Sequence, residues 1–374
     1  MTEVPIIYYC MDCSFSAENK HFKRCPRCEG VISYKRADNQ YRIRQGKFDV
    51  ERYWDFLPLQ DPEKLIGHGV ERTPLIDSQK LKSTCSATKI LLKDETVTYT
   101  KSCKDRMAVV ALSQMNELGV NSFVVSSTGN VASALAFLLN KHRNIQMHCF
   151  IAEDFLPRHR FMDSPNIIMH TVNSKYDSAQ KQALKFANEN NVYHDGGYFS
   201  VAKRAGLAMA FLEAWEESKT NIDYYFQAVS SGMGALGVYE MATKMKKSSM
   251  IDSIPSLMCV QQDTCDPMVR AFSAGEKRIL PEHIIKNPTG CAKAILTGDP
   301  TVCYPSLYKI VSETNGSFIS VSEDEIKSAQ KHLNNNEGIK ATPDGATALA
   351  GFLKYAETHS DQLKNKNVLI NITG

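Results

Sequence analysis

Two groups of residues in this chain have the types and spacing to do chemistry. Cys10-Met-Asp-Cys13, eleven residues, then Cys25-Pro-Arg-Cys28 is a pair of Cys-x-x-Cys knuckles spaced to close on one tetrahedral zinc. Four thiolates would fill the metal's shell, so this site predicts a structural zinc that folds a segment too short and polar to bury a core. The second group runs from Lys93-Asp94-Glu95 to Lys104-Asp105-Arg106. Ile90 to Leu92 reads as a strand. Ser102 followed by Asp105 is a capping-box pattern opening the periodic run Met107, Val110, Ala111, Gln114, Met115, Leu118, which Gly119 ends. Lys104 is thereby expected in the first turn of a helix. The positive end of the helix dipole disfavours an ammonium there and brings a neutral, nucleophilic amine, able to form a Schiff base, within reach. The plain alternative, a solvated surface lysine, is the commoner fate of a lysine.

The elements that must position these residues read as an alternation. Strands are expected at 121–126, 147–151, 167–172, 192–194, 224–229, 257–261, 318–321 and 368–372. Helices are expected at 131–140, 177–190, 201–217, after Gly234, from Ser322-Glu-Asp-Glu325 to about 334, and at 345–356. Short apolar strands alternating with helices predict an α/β architecture, a mostly parallel sheet covered on both faces. Two strand-to-helix turns are rich in small and hydroxyl residues: Ser127-Thr128-Gly129-Asn130 and Ser230-Ser231-Gly232-Met233-Gly234-Ala235. A helix N-terminus of this kind suits a carboxylate or phosphate, although such turns by themselves are often only turns. Residues 39 to 65, with Tyr41, Phe48, Tyr53, Trp54 and Phe56, read as a linker docked on the body.

Lys-Asp-Glu, eight residues, then Lys-Asp-Arg resembles the cofactor-lysine segment of threonine synthase and its relatives among fold-type II pyridoxal-phosphate enzymes. An N-terminal ribbon, Thr73-Pro74-Leu75, the Ser-Thr-Gly-Asn turn and Val368-Leu-Ile-Asn-Ile-Thr373-Gly374 add to the resemblance, which covers roughly 65 to 374 and the ribbon besides. The resemblance implies two doubly wound α/β domains with pyridoxal 5'-phosphate between them. It implies Lys104 as the cofactor lysine, Asn130 on the cofactor's phenolic oxygen, and Ser127, Thr128 and Gly129 around the substrate carboxylate. Ser231, Gly232, Met233, Gly234 and Ala235 would hold the cofactor phosphate, and Thr373 would face the pyridine nitrogen. Where that family usually has Asn-Pro-Thr-Gly-Ser-Phe before the lysine, this chain has Thr98-Tyr99-Thr100-Lys101-Ser102-Cys103. Aligning Gly206 and Glu213 puts Lys203 near an Arg of the family's substrate-phosphate site and Gly197 at its Asn. Lys203 and Arg204 are therefore either substrate-phosphate ligands or a solvated helix face. The domains implied are a zinc ribbon at 1–38, a linker with the first part of the large domain at 39–104, a smaller α/β domain at 105–200 and the rest of the large domain at 201–374.

At 374 residues, 43% apolar, the chain can bury a sizeable core, and its 44 basic and 41 acidic residues leave a net charge of only +3. No charge run points to nucleic acid or membrane, so small molecules are the partners expected, and the resemblance implies an amino-acid substrate and a homodimer. The start Met1-Thr-Glu-Val-Pro has no leader pattern and no apolar run approaches a membrane span, which places the protein in the cytoplasm. Eleven cysteines fit reduced thiols and metal ligation better than disulfides. The activity that the resemblance implies is replacement or elimination at the β or γ carbon of an amino acid, most directly on O-phosphohomoserine or O-phosphoserine. The alternatives are a hydroxyamino-acid dehydratase, a β-replacement synthase and, from another class, a zinc-ribbon interaction protein whose body has lost its chemistry.

Overall fold

The computed structural model describes residues 4–173 and 176–374, the side chains of 176 and 177 apart. Met1 to Glu3 of the N-terminal stretch lie outside the described residues. The chain opens with β1 (Ile6–Cys10), β2 (Ser16–Glu18) and β3 (Ile32–Arg36), followed by α1 (Asp49–Arg52), β4 (Leu75–Asp77) and β5 (Lys89–Asp94). Next come α2 (Lys104–Glu117), β6 (Ser122–Ser126), α3 (Asn130–Leu139), β7 (Gln146–Ala152), β8 (Ile167–Val172), α4 (Tyr176–Glu189), β9 (Tyr193–His194) and α5 (Val201–Ser218). The remainder is β10 (Tyr224–Ala228), α6 (Met233–Lys247), β11 (Ser256–Gln262), α7 (Pro267–Ser273), α8 (Tyr304–Glu313), β12 (Ser317–Val321), α9 (Glu323–His332), α10 (Pro343–Leu363) and β13 (Asn367–Ile372). The expected alternation is present, and Ser322 and Glu325 do close a reciprocal cap on α9. Sequence periodicity did not reveal the ribbon strands, β4, α1, α7 or α8. No described helix is long and apolar enough to cross a membrane.

Two compact units result. The first comprises Met1–Glu71 and Lys104–Gly206. Its ribbon is antiparallel, in the order β2-β1-β3, with Cys10 opposite Ile32. Its second sheet is parallel, in the order β8-β7-β6-β9. Ala179, Ala183 and Ala187 recur every fourth residue along α4, and that small-residue stripe packs on Val124, Phe150, Ala152 and Val172. The segment expected as a linker belongs to this unit and buries Tyr41, Tyr53, Trp54 and Phe56, with Phe48 half-buried. It also carries Asp49, which meets Arg106 of α2 at 2.9 Å with both side chains fully buried.

The second unit, Arg72–Cys103 with Leu207–Gly374, is built on a six-stranded sheet in the order β12-β11-β10-β13-β5-β4. All its neighbours are parallel except β4, which runs against β5. Ile90, Leu92, Phe226, Val260, Val368 and Ile370 pack with Leu349 and Phe352 of α10 into its core. Because β10, β13 and β5 are adjacent and parallel, their carboxyl ends share one sheet edge, where open α/β sheets bind ligands. Those ends lead into the loop Ser230–Ala235, Thr373 and the turn before α2 respectively. Beside that turn lies a buried polar knot. Lys93 Nζ donates to Glu213 at 2.5 Å and to the Thr73 carbonyl at 2.7 Å, and Thr73 Oγ1 donates to Glu95 at 2.7 Å.

The turn itself is where the chain departs from the family it resembles. Lys101, standing where that family has glycine, takes a left-handed φ of 61°. Thr98 holds it: its carbonyl accepts from Lys101 N–H at 2.9 Å and its Oγ1 accepts from Ser102 N–H at 2.9 Å. Thr373 Oγ1 accepts from the N–H of Cys103, the residue before Lys104, at 3.2 Å. Gly374 lies so close that an added Cβ would come within 1.7 Å of the Lys101 carbonyl oxygen.

These contacts generate two expected outcomes. Lys101→Gly relieves the left-handed cost at an exposed position and should raise the denaturant midpoint by the equivalent of about 1 kcal/mol. Lys93→Met leaves Glu213 charged and buried without its partner and should cost about 3 to 5 kcal/mol in a urea titration, most of it recovered in Lys93→Met/Glu213→Gln.

Candidate active site

Lys104 is the first residue of α2 and is half-buried. It comes directly after Cys103, whose N–H and Sγ both engage Thr373 Oγ1, the hydroxyl donating to sulfur at 3.3 Å. The Thr373 hydroxyl expected at a pyridine nitrogen is thus also a clasp on the backbone that delivers the lysine. Gly345, in the first turn of α10, packs against it, since a Cβ there would fall 1.8 Å from the Thr373 carbonyl oxygen.

In the same unit as Thr373, the loop after β10 enters α6 through Gly232 at φ 73°, with no side chain capping the helix. The N–H groups of Met233, Gly234 and Ala235 lie in the first turn of a 15-residue helix and have no carbonyl a turn earlier within it. That donor set fits a phosphate dianion. Toward their carboxyl ends, neighbouring β10 and β13 also carry the buried side-chain oxygens Gln227 Oε1 and Asn371 Oδ1, without hydrogen-bond partners among the described residues. Unpaired polar atoms at the ends of these strands suit a polar ligand that completes the cradle.

In the first unit, β6 leads into Ser127-Thr128-Gly129 and α3 begins at Asn130. Ser127, expected at the substrate carboxylate, is buried, and its Oγ accepts from the N–H groups of Gly129 at 3.0 Å and Ala132 at 3.1 Å. It shapes the turn. Gly129 has φ 133° and faces the Arg158 backbone, where a Cβ would come within 3.0 Å of the carbonyl oxygen. Arg158 Nε donates to the Thr128 carbonyl at 3.1 Å. Thr128 and Asn130 are half-buried.

The strand beside β6 is β9, with Val124 opposite His194, so the Asp195 loop leaves the sheet next to this turn. Here the sequence expectation needs correcting. Lys203 and Arg204 are not a solvated face, being 2% and 0% exposed. Arg204 donates to the carbonyls of Tyr198 and Ile32 and is held inside the unit, which withdraws support for it as a substrate-phosphate ligand. Lys203 pairs with Asp195. Burial alone would raise the Asp195 carboxyl, but the Lys203 ammonium, His194 and the Gly197 N–H outweigh it and hold the carboxyl below its ordinary value. A basic pair in sequence is in fact two buried cations held separately, Lys203 by a carboxylate and Arg204 by backbone carbonyls, and nothing local distinguishes the two cases.

The ribbon brings its four cysteines together. Their sulfurs all lie within 4.8 Å of one another, with Cys10 and Cys28 3.5 Å apart and Cys13 and Cys25 3.6 Å apart. Tetrahedral zinc with Zn–S bonds of about 2.3 Å needs sulfurs about 3.8 Å apart, far beyond a disulfide. N–H groups of Asp12 and Arg27 point at Cys10 and Cys25 Sγ. Sequence reasoning passed over three residues that support these sites: Arg106, Asp49 and Arg158. Arg106 stood in the motif itself, but nothing near it in sequence announces its partner.

A family model described as pyridoxal-phosphate dependent enzyme matches residues 66–374. Threonine synthase of Methanocaldococcus jannaschii is 26% identical over 85% of this chain and 78% of that protein. Cysteate synthase of Methanocella paludicola is 25% identical over 98% of this chain and 88% of that protein. The solved structure of maize serine racemase superposes with a TM-score of 0.67 over 81% of this chain and 88% of its own, at 19% identity, a likeness of fold. With the match spanning both the lysine segment and the glycine loop, the chain belongs to the pyridoxal-phosphate dependent enzyme family.

Proposed function

We propose that the protein is a threonine synthase-like enzyme acting at the β or γ carbon of a phosphorylated hydroxyamino acid, O-phosphohomoserine or O-phosphoserine. The observation that carries the reading is the delivery, from three adjacent parallel strand ends, of an amine on a first helical turn, a clasping hydroxyl and an anion-binding helix N-terminus. The similarity to synthases extends across the ribbon as well as the body, which supports a synthase over a dehydratase.

Pyridoxal phosphate, when bound, withdraws electron density from the substrate's α carbon. Lys104 Nζ, half-buried on the first turn of α2, anchors it and moves protons at the substrate's α and β carbons. The N–H groups of Gly232 to Ala235 and the Ser231 hydroxyl hold the cofactor phosphate, Asn130 donates to its phenolic oxygen, and Thr373 meets its ring nitrogen. Thr128, Gly129 and the α3 N-terminus take the substrate carboxylate. The Asp195 loop with Lys203 takes the substrate's distal group. On O-phosphohomoserine the Cγ–O bond breaks, inorganic phosphate leaves, and the oxygen of a water adds at Cβ. On O-phosphoserine the Cβ–O bond breaks and a nucleophile takes its place. The four ribbon thiolates hold one zinc, and the enzyme works as a cytoplasmic homodimer.

Wild type should release inorganic phosphate from one of the two esters, and Lys104→Ala should lose that turnover by more than about a thousandfold together with the visible cofactor band. No phosphate from either ester, with a keto acid formed from threonine or serine, would make the enzyme a dehydratase instead. Elemental analysis of unchelated protein should find one zinc per chain, falling to none in Cys25→Ser while cofactor absorbance persists.

A further inference from the structure

The ribbon does more than fold. Its stretch between the two cysteine pairs lies on the loop that leaves β9. Lys23 Nζ sits 4.0 Å from the centroid of the Tyr193 ring and the Arg24 guanidinium 3.9 Å from that of Phe199. Tyr193 and Phe199 bracket Asp195, Gly196 and Gly197, the last two with left-handed φ of 78° and 50°. Two glycines in that conformation give the loop little stiffness of its own. A third tie comes from the other side, where Arg204 joins the Tyr198 carbonyl of the loop to the Ile32 carbonyl of β3. Ile32 pairs in register with Cys10, so the tie ends beside the metal knuckle. The loop is therefore gripped at 193, 198 and 199 by the ribbon and by a residue bonded to it, while between those points Asp195 pairs with Lys203 of α5, and the loop leaves the sheet beside the strand that leads to the Ser127–Asn130 turn.

We infer that Lys23 and Arg24 are positioning residues of the substrate site: the ribbon holds loop 193–200, and through it the Asp195–Lys203 pair, in the conformation that receives the substrate's distal group. This rests on the reading that the Asp195 loop meets the substrate. It gives the ribbon a part in substrate recognition, exerted by two cations that are not metal ligands. Each cation–ring contact is worth about a factor of two to thirty depending on its desolvation.

The test compares wild type, Lys23→Ala/Arg24→Ala and Arg24→Lys, all as cofactor-loaded full-length enzyme. Hydrogen–deuterium exchange without substrate should quicken in 193–200 of the double variant and stay unchanged in ribbon residues 6–10. The KM for the phosphorylated amino acid that wild type turns over should rise about tenfold, with kcat within about twofold and the visible cofactor band unmoved. Arg24→Lys, which keeps a cation over Phe199, should recover part of both effects. Exchange in 193–200 equal to wild type overturns the inference whatever the substrate proves to be. Faster exchange with an unchanged KM overturns it as well, and locates the failure in the assignment of the loop to the substrate. If wild type turns over neither ester, the proposed substrate class has failed on its own, and the exchange result still decides whether the ribbon holds the loop.

Discussion

An amine on a first helical turn is only as well placed as the turn that delivers it, and in this chain that turn is held by hydrogen bonds rather than by a rigid sequence. Thr98 binds the backbone of Lys101 and Ser102, Thr373 binds that of Cys103, and Gly374 closes on the Lys101 carbonyl. Proline and glycine would set such a turn through their own torsions. Tyr99 and Lys101 cannot, and Lys101 is forced left-handed at a cost its neighbours must offset. The C-terminal residues are thereby tied to the placement of Lys104 more tightly than a last core strand would require.

The sheet makes that clasp possible. β5 and β13 run parallel with Asp94 opposite Ile372, so the two strands end level and Thr373 emerges beside the start of the turn. β10 lies on the other side of β13 and ends in the glycine loop. Buried charge is paired at Lys93 with Glu213 in the second unit, and at Arg106 with Asp49 and Lys203 with Asp195 in the first. Removing one member of such a pair strands the other, so each constrains the fold more than it stabilises it.

What the sequence made legible divides along physical lines. Periodicity and turn chemistry located most strands of the two larger sheets, the start of α2 near Lys104 and the cysteine cluster, because each is written in residues close together in the chain. Helices α7 and α8 carry proline at their first and second positions and run for only 7 and 10 residues, β2 is three residues long and polar, and β1, though apolar throughout, lies hard against the first cysteine knuckle. The burial of Lys203 and Arg204 was the least legible feature. A cation's burial is decided by partners such as Asp195 and Ile32, which no local pattern reveals. Ser127 shows the same limit from the other side: a hydroxyl on an anion-binding turn can be wholly occupied in shaping that turn.

The central claim is that Lys104 carries the cofactor. Borohydride reduction of the purified holoenzyme, followed by proteolysis and mass mapping, fixes the cofactor to whichever lysine bears it. The structure predicts a single pyridoxyl adduct on the peptide containing Lys104. An adduct on another lysine, or none on protein that retains its visible absorbance, would contradict it.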